Sequence, residues 1–199
     1  KVMYQAQEVA AVLATDRYIA ADGAEAVEVD YEPLPVVVDA KKALDPGAPV
    51  LRTDKPGKTD NHIWHWQWGD RAATDRAFQE AEVTVQQEIY LPRIHVSSIE
   101  TCGCVTDFDK EDGKLTLWMT TQAPHVVRTV FALVAGHVGL AEHKIRIISP
   151  DIGGGFGGKI NLYLEPIAAV LSKKTGHPVK VLMNRTEVFE STGPTPGSF

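Results

Sequence analysis

Cysteine is nearly missing from this chain. Two in 199 residues are too few for a disulfide scaffold, and Cys102 and Cys104 stand too close together to make a structural zinc site without further cysteines. An excess of positive charge is missing as well. Twenty Lys and Arg against 26 Asp and Glu leave a formal net charge of −6, so nothing in the composition draws the chain to nucleic acid or to an anionic membrane. Long apolar runs are also lacking: Thr129–Ala141 carries no formal charge but contains His137 and two glycines, and it falls short of the roughly 20 residues of a spanning helix. There is neither an initiator Met nor a signal-peptide layout. The chain opens Lys1-Val2-Met3-Tyr4 and passes at once into the apolar pattern around Val9–Ala14, while Thr192–Phe199 is turn-rich and could lead into another element. An internal fragment of a longer chain is the expectation. Internal repeats and low-complexity tracts are not found. What is present, 44% hydrophobic and 23% charged residues, is the composition of a globular protein with enough chain for one large domain or two small ones.

Residues 1–45 read as a small α/β unit. Val9–Ala14 suits a buried strand, Thr15-Asp16 an N-cap, and Ile19, Ala20, Ala24 and Val27 a helix face. Val27–Tyr31 alternates as a half-exposed strand does, Pro33 and Pro35 interrupt it before Val36–Val38, and a short helix at Asp39–Leu44 closes the unit. Residues 46–60, with Pro46-Gly47, Pro49 and Pro56-Gly57, form the expected linker. Residues 61–199 follow as a second domain. There His62, Trp64, Trp66 and Trp68 fall on one face of a predicted strand, read as a packed or partly covered sheet face rather than an aromatic platform for a ligand. Asp70–Glu82 reads as a polar helix with Ala73, Ala77, Phe78 and Ala81 inward, and Val83–Tyr90 as a strand. Strands are expected at Cys102–Phe108 and Leu115–Thr120, joined by the charged turn Asp109–Gly113, with Leu115, Leu117 and Met119 sharing a face. Pro124 stands at the first turn of a helix whose stripe is Val126, Val127, Val130, Phe131 and Val134. A strand at Ile145–Ile148, a helix through Leu164–Leu171 ended by Gly176, a strand at Val179–Met183 and a short helix after Asn184 complete the reading.

The least ordinary segment is Gly153–Lys159, with five glycines in the first six positions. That composition costs backbone entropy and implies that something approaches the backbone closely. Gly153, Gly155 and Gly158 fit a dinucleotide fingerprint, but no acid follows at the ribose-binding distance, since 169–180 holds neither Asp nor Glu. Gly153 with Gly158-Lys159 fits a phosphate-binding loop, but Ile160 stands where the magnesium-binding hydroxyl is needed. Two readings stay open: a tight structural turn, or a backbone surface laid against a flat, oxygen-rich cofactor with Phe156 facing it.

The segment Ser149–Lys159 resembles the glycine loop of the molybdenum hydroxylases, the family of xanthine dehydrogenase, aldehyde oxidase and aerobic carbon monoxide dehydrogenase. Thr121–His125, Ile99–Thr101, Gly176–Lys180 and Arg185–Glu187 resemble other segments of that family in order and spacing, as do Gln7–Ala10 and Asp30–Pro35, although Ala6 stands where Gly is usual. The resemblance implies an α+β fold: the end of an α/β-hammerhead domain in residues 1–45, then the first part of a molybdopterin-binding domain in residues 61–199. It implies a large-subunit fragment, nearest to carbon monoxide dehydrogenase, that oxidises a small carbon substrate with oxygen from water. The implied cofactor is molybdopterin with molybdenum, as the cytosine dinucleotide, held by its own dithiolene rather than by protein ligands. Electrons would leave to iron–sulfur clusters on a small subunit and FAD on a medium subunit of a cytoplasmic, oligomeric complex. Gln122 matches the family glutamine whose amide bonds an oxygen of the metal, and Gly154, Gly155, Phe156 and Gly157 match the loop against the cofactor, with Gln122 and Phe156 also at the reacting centre. Glu100 is read as a carboxylate satisfied by backbone amides, and Cys102 and Cys104 as buried thiols. His95 and His125 are read as packing or capping residues. Ile160 occupies the position of the glutamate that meets the heterocycle in purine oxidisers, which disfavours a purine. The family's catalytic base lies beyond Phe199, so none of Glu165, Glu187 or Glu190 takes that role and the isolated chain is expected to be inactive. The alternative of another class is a nonenzymatic α/β domain that binds an anion or nucleotide at the glycine loop.

Overall fold

The computed structural model describes residues 1–134 and 139–193. Residues 135–138, with His137, the side chain of Val134, and the turn-rich end from Pro194 lie outside the described residues. The chain divides into two compact units, Glu28–Glu88 and a larger one made of Lys1–Val27 with the stretch from Ile89 onward. The architecture is mixed α/β with one four-stranded sheet, consistent with an α+β fold.

In the larger unit the sheet runs in the order β3-β2-β1-β4, with β1 at Gly103–Asp109, β2 at Lys114–Met119, β3 at Ile145–Ile148 and β4 at Val179–Leu182. β1 and β2 form an antiparallel hairpin from Cys104↔Met119 to Asp109↔Lys114. Its turn closes where Asp109 Oδ1 accepts the N–H groups of Glu111 and Asp112. β4 pairs antiparallel with β1, whereas β3 pairs parallel with β2, from Leu115↔Ile145 to Trp118↔Ile148. Consequently the start of β1 and the ends of β2, β3 and β4 all lie at one edge of the sheet.

One face carries the core. Leu115, Leu117 and Met119 alternate inward, as their period predicts, and meet Phe131 and Val127 of α3 (Pro124–Val134) and Ala168 and Ala169 of α4 (Glu165–Thr175). Each large side chain so buried contributes about 1.5–3 kcal/mol. The predicted stripe of α3 is wider than the buried one: Val126 and Val130 turn outward, because a helix resting on a sheet along one line buries only residues four apart on that line. Pro166 sits in the first turn of α4, and Gly176 ends the helix in the left-handed conformation, its N–H on the Ser172 carbonyl at 2.8 Å. Asn184 caps α5 (Arg185–Ser191) in a reciprocal box with Glu187. Asp16 caps α1 (Arg17–Glu25) by accepting from Tyr18 and Ile19. Ala6, where the resembling family usually has Gly, adopts φ +60°, a conformation open to glycine at no steric cost.

In the smaller unit Asp70 caps α2 (Arg71–Glu80), and Asn61 braces the Pro/Gly-rich segment through Leu51 N–H and the carbonyls of Ala43 and Pro49. Two expectations fail here. α2 buries none of its residues, with Phe78 63% exposed, and Trp64, Trp66 and Trp68 are exposed rather than packed, with the Trp66 and Trp68 rings stacked 6.2 Å apart. Among the described residues, the strands predicted at 9–14, 27–31, 36–38, 62–68 and 83–90 form no ladder. Alternation marks a face that could be buried, but a strand forms only where a second backbone supplies the matching N–H and C=O groups. No described helix is long and apolar enough to cross a membrane.

Candidate functional site

The glycine loop leaves β3 and Gln122 leaves β2, and the parallel pairing of those strands brings the two chain ends side by side. The Ser149 hydroxyl donates to the Thr121 carbonyl at 2.6 Å and extends that pairing past the sheet. Beyond it the Gln122 N–H donates to the Lys159 carbonyl at 3.1 Å, and the Thr121 hydroxyl donates to the same oxygen at 3.0 Å. The Gln122 side chain then lies against the loop. Its Oε1 accepts the Gly157 N–H at 3.0 Å and the Lys159 N–H at 3.4 Å. With the oxygen committed to the loop, the amide NH2 is left as the donor of a side chain that is exposed.

The loop itself turns within Gly155–Gly158, where the Gly158 N–H meets the Gly155 carbonyl at 2.8 Å. Its central residues Phe156 and Gly157 have φ +51° and +89°. A bulky residue in this conformation is strained by about 1–3 kcal/mol and needs surroundings that enforce it. Phe156 is 74% exposed, so its ring is not a core residue. A methyl at Gly155 would overlap Gln122 Oε1, and one at Gly154, where φ is +99°, would lie 2.9 Å from the Phe156 ring. The glycines therefore let backbone, Gln122 and Phe156 share one small region. Gln122, Gly154, Gly155, Phe156 and Gly157 are thus brought together in space.

A strap, residues 95–100, forms the other wall. Arg185 of α5 donates to the carbonyls of Ser98, at 2.7 Å, and Ile99. His95 accepts the Ser97 N–H at Nδ1, and its Nε2 lies 2.9 Å from the Thr192 hydroxyl. Ser97 is held at φ +51°. Glu100 and Gly153 exchange bonds, the Gly153 N–H to Glu100 Oε2 at 2.8 Å and the Glu100 N–H to the Gly153 carbonyl at 3.3 Å. Lys159, 3% exposed, places its ammonium 2.6 Å from the same Oε2. Partial burial pushes the Glu100 carboxyl up, but the hydrogen bonds from Lys159 and Gly153 together outweigh it and hold the group below its ordinary value. At the loop exit the Tyr163 hydroxyl donates to the Gly158 carbonyl at 2.9 Å, and Tyr163 N–H to the buried Glu165 carboxylate at 2.7 Å. Burial pushes Glu165 and the Cys102 and Cys104 thiols upward, toward their neutral forms.

The residues present fit a flat group rich in acceptor oxygens. Gln122 is exposed with its Oε1 taken by the loop, the Cβ position of Gly157 faces open space, and Ser98 Oγ is a buried hydroxyl with no partner beside Gly154. Sequence reasoning had no signal for Ser98. Arg185 and Lys159 belonged to segments carrying the resemblance, but their contacts lie 87 and 59 residues away along the chain.

At the strand ends of the mixed sheet, then, stand a glycine loop and a glutamine amide bonded to it. The chain belongs to the molybdopterin cofactor-binding domain family, whose profile matches residues 54–198. It is 51% identical to the carbon monoxide dehydrogenase large chain of Hydrogenophaga pseudoflava over 96% of this chain and 25% of that relative. It is 34% identical to the nicotine 6-hydroxylase large subunit of Paenarthrobacter nicotinovorans, over 94% of this chain and 22% of that one. Among solved structures, the reconstituted carbon monoxide dehydrogenase of Oligotropha carboxidovorans superposes with a TM-score of 0.78 at 48% identity, covering 90% of this chain and 23% of that one. The chain therefore spans about a quarter of the length of these three relatives.

Proposed function

We propose that this chain is part of the large subunit of a carbon monoxide dehydrogenase-like molybdenum hydroxylase, and that its glycine loop and Gln122 hold the molybdopterin. The observation that carries this reading is the commitment of Gln122 Oε1 to the loop, which leaves an uncharged NH2 donor at the cradle. Within it, Gly154, Gly155 and Gly157 would offer backbone to the cofactor, Gln122 would donate its amide hydrogen to it, and Phe156 would line the approach to it. When bound, the group supplies the centre at which a small carbon substrate gains oxygen from water and loses two electrons. The protein's part is to orient that group and restrict water around it. The higher identity to the carbon monoxide dehydrogenase chain than to the nicotine hydroxylase supports a small carbon substrate, and Ile160 after the loop lysine adds no carboxylate for a heterocycle.

On the same reading, residues 1–45 end an α/β-hammerhead domain, 46–60 link, and 61–199 begin the molybdopterin-binding domain. The cofactor is the cytosine dinucleotide form, with iron–sulfur and FAD subunits as partners in a cytoplasmic oligomer. Metal analysis of the full-length subunit tests the reading. Molybdenum with pterin fluorescence is the expected result, and phosphate-ligand binding without molybdenum would replace it with an anion-binding domain. The 199-residue chain alone is expected not to turn over carbon monoxide, an aldehyde or an N-heterocycle.

A further inference from the structure

One carboxylate oxygen closes the glycine loop. Glu100 Oε2 accepts the N–H of Gly153, which opens the loop, and the ammonium of Lys159, which ends it. Lys159 is also joined to Gln122 in both directions, through the Lys159 N–H to Oε1 and the Gln122 N–H to the Lys159 carbonyl. A buried ammonium carries a large desolvation cost, and a turn needs only backbone bonds or a neutral side chain to close. Glu100 is anchored independently of the loop, because Arg185 holds the carbonyls of the two preceding residues and His95 holds Ser97. The strap is therefore the fixed wall, and Lys159 draws the loop to it.

We propose that Glu100 and Lys159 are a positioning pair. They keep the glycine loop closed and so set the backbone against which the Gln122 amide is aimed at the bound group. The proposal rests on the reading of the loop and Gln122 as the molybdopterin site. Neither residue is a catalytic residue in it, since both act through Gly153 and Gln122.

The full-length subunit carrying K159M, K159R, E100Q or the double substitution E100Q/K159M tests the pair, read by hydrogen exchange in peptides over residues 153–158 and by molybdenum content. E100Q leaves the ammonium buried beside a neutral amide, and K159M leaves the carboxylate without its cation. Each is expected to speed loop exchange about threefold, with a matching fall in molybdenum content. The double substitution removes both charges and is expected to restore thermal stability while the loop stays open and the molybdenum content low. K159R keeps the charge and is expected to recover loop protection. Wild-type loop exchange and molybdenum content in the double variant, or equal behaviour of K159R and K159M, would overturn the proposal. Absence of molybdenum from the wild-type subunit would instead remove the cofactor reading, and the exchange comparison would still decide whether the pair closes the loop.

Discussion

Leu115, Leu117 and Met119 alternate along the chain in the same way as Trp64, Trp66 and Trp68, yet the first three are at most 2% exposed and the last three at least 67%. β2 has a partner on each side, β1 antiparallel and β3 parallel, and two helices over one face. The tryptophan segment makes no ladder among the described residues. Hydrophobic alternation is thus a statement about what a segment could bury, and the ladder decides whether it does.

The sharpest way to break that contrast is truncation at one position in each region. Phe131→Ala, in the sheet core and fully buried, is expected to cost about 3–5 kcal/mol, whereas Trp66→Ala should stay within about 0.5 kcal/mol. Hydrogen exchange of the β1 and β2 amides in the full-length subunit measures both, and equal effects would mean that the tryptophan segment is packed after all. Next comes Gly155→Ala, whose methyl meets Gln122 Oε1. Overpacking there is expected to cost about 1–3 kcal/mol and to lower molybdenum content, while the same substitution at Gly113, which strains a φ of +63° but has open space around its Cβ position, should weaken the hairpin turn and leave molybdenum content unchanged. A smaller effect is expected at the helix caps. Asn184→Ala should cost about 1 kcal/mol and loosen Arg185 from the strap, a change seen as faster exchange over residues 95–100. Asp70→Ala should unwind the start of α2 without altering exchange in the sheet.

The smallest expected effect is acid sensitivity of the loop. Glu100 titrates below its ordinary value in the folded chain, so its contribution is fully present above the unfolded carboxylate's pKa and is lost as pH falls through the lowered one. The side chain is 35% exposed, and solvent screening keeps the contribution modest. Protection of residues 153–158, that is, exchange corrected for the slower intrinsic amide chemistry at low pH, should fall on acidification in the wild type. In E100Q that acid limb should disappear, and an unchanged limb would assign it to another carboxylate.

Much of the site was legible before any fold was known. Five glycines around one phenylalanine, a lysine after them and a glutamine ahead of a proline-started helix marked the residues that the structure brings together. Glu100 was read as a carboxylate satisfied by backbone amides, and the Gly153 N–H does meet it, but its pairing with Lys159 across 59 residues had no local signature. Ser98 could not be found from the chain at all, because an orphaned hydroxyl is a property of what surrounds it.

What the sequence determined by itself was local: the caps at Asp16, Asp70 and Asn184, the stop at Gly176, the inward face of β2, and a glycine run that calls for a tight turn or a close approach. Tertiary structure decided which alternating segments found a ladder. It also set the parallel pairing of β2 with β3, which delivers Gln122 and the glycine loop to the same edge. The physical reason is range. Capping and periodicity are settled within a few residues of chain, whereas burial, strand pairing and an ion pair between distant residues depend on segments that meet only when the whole unit folds.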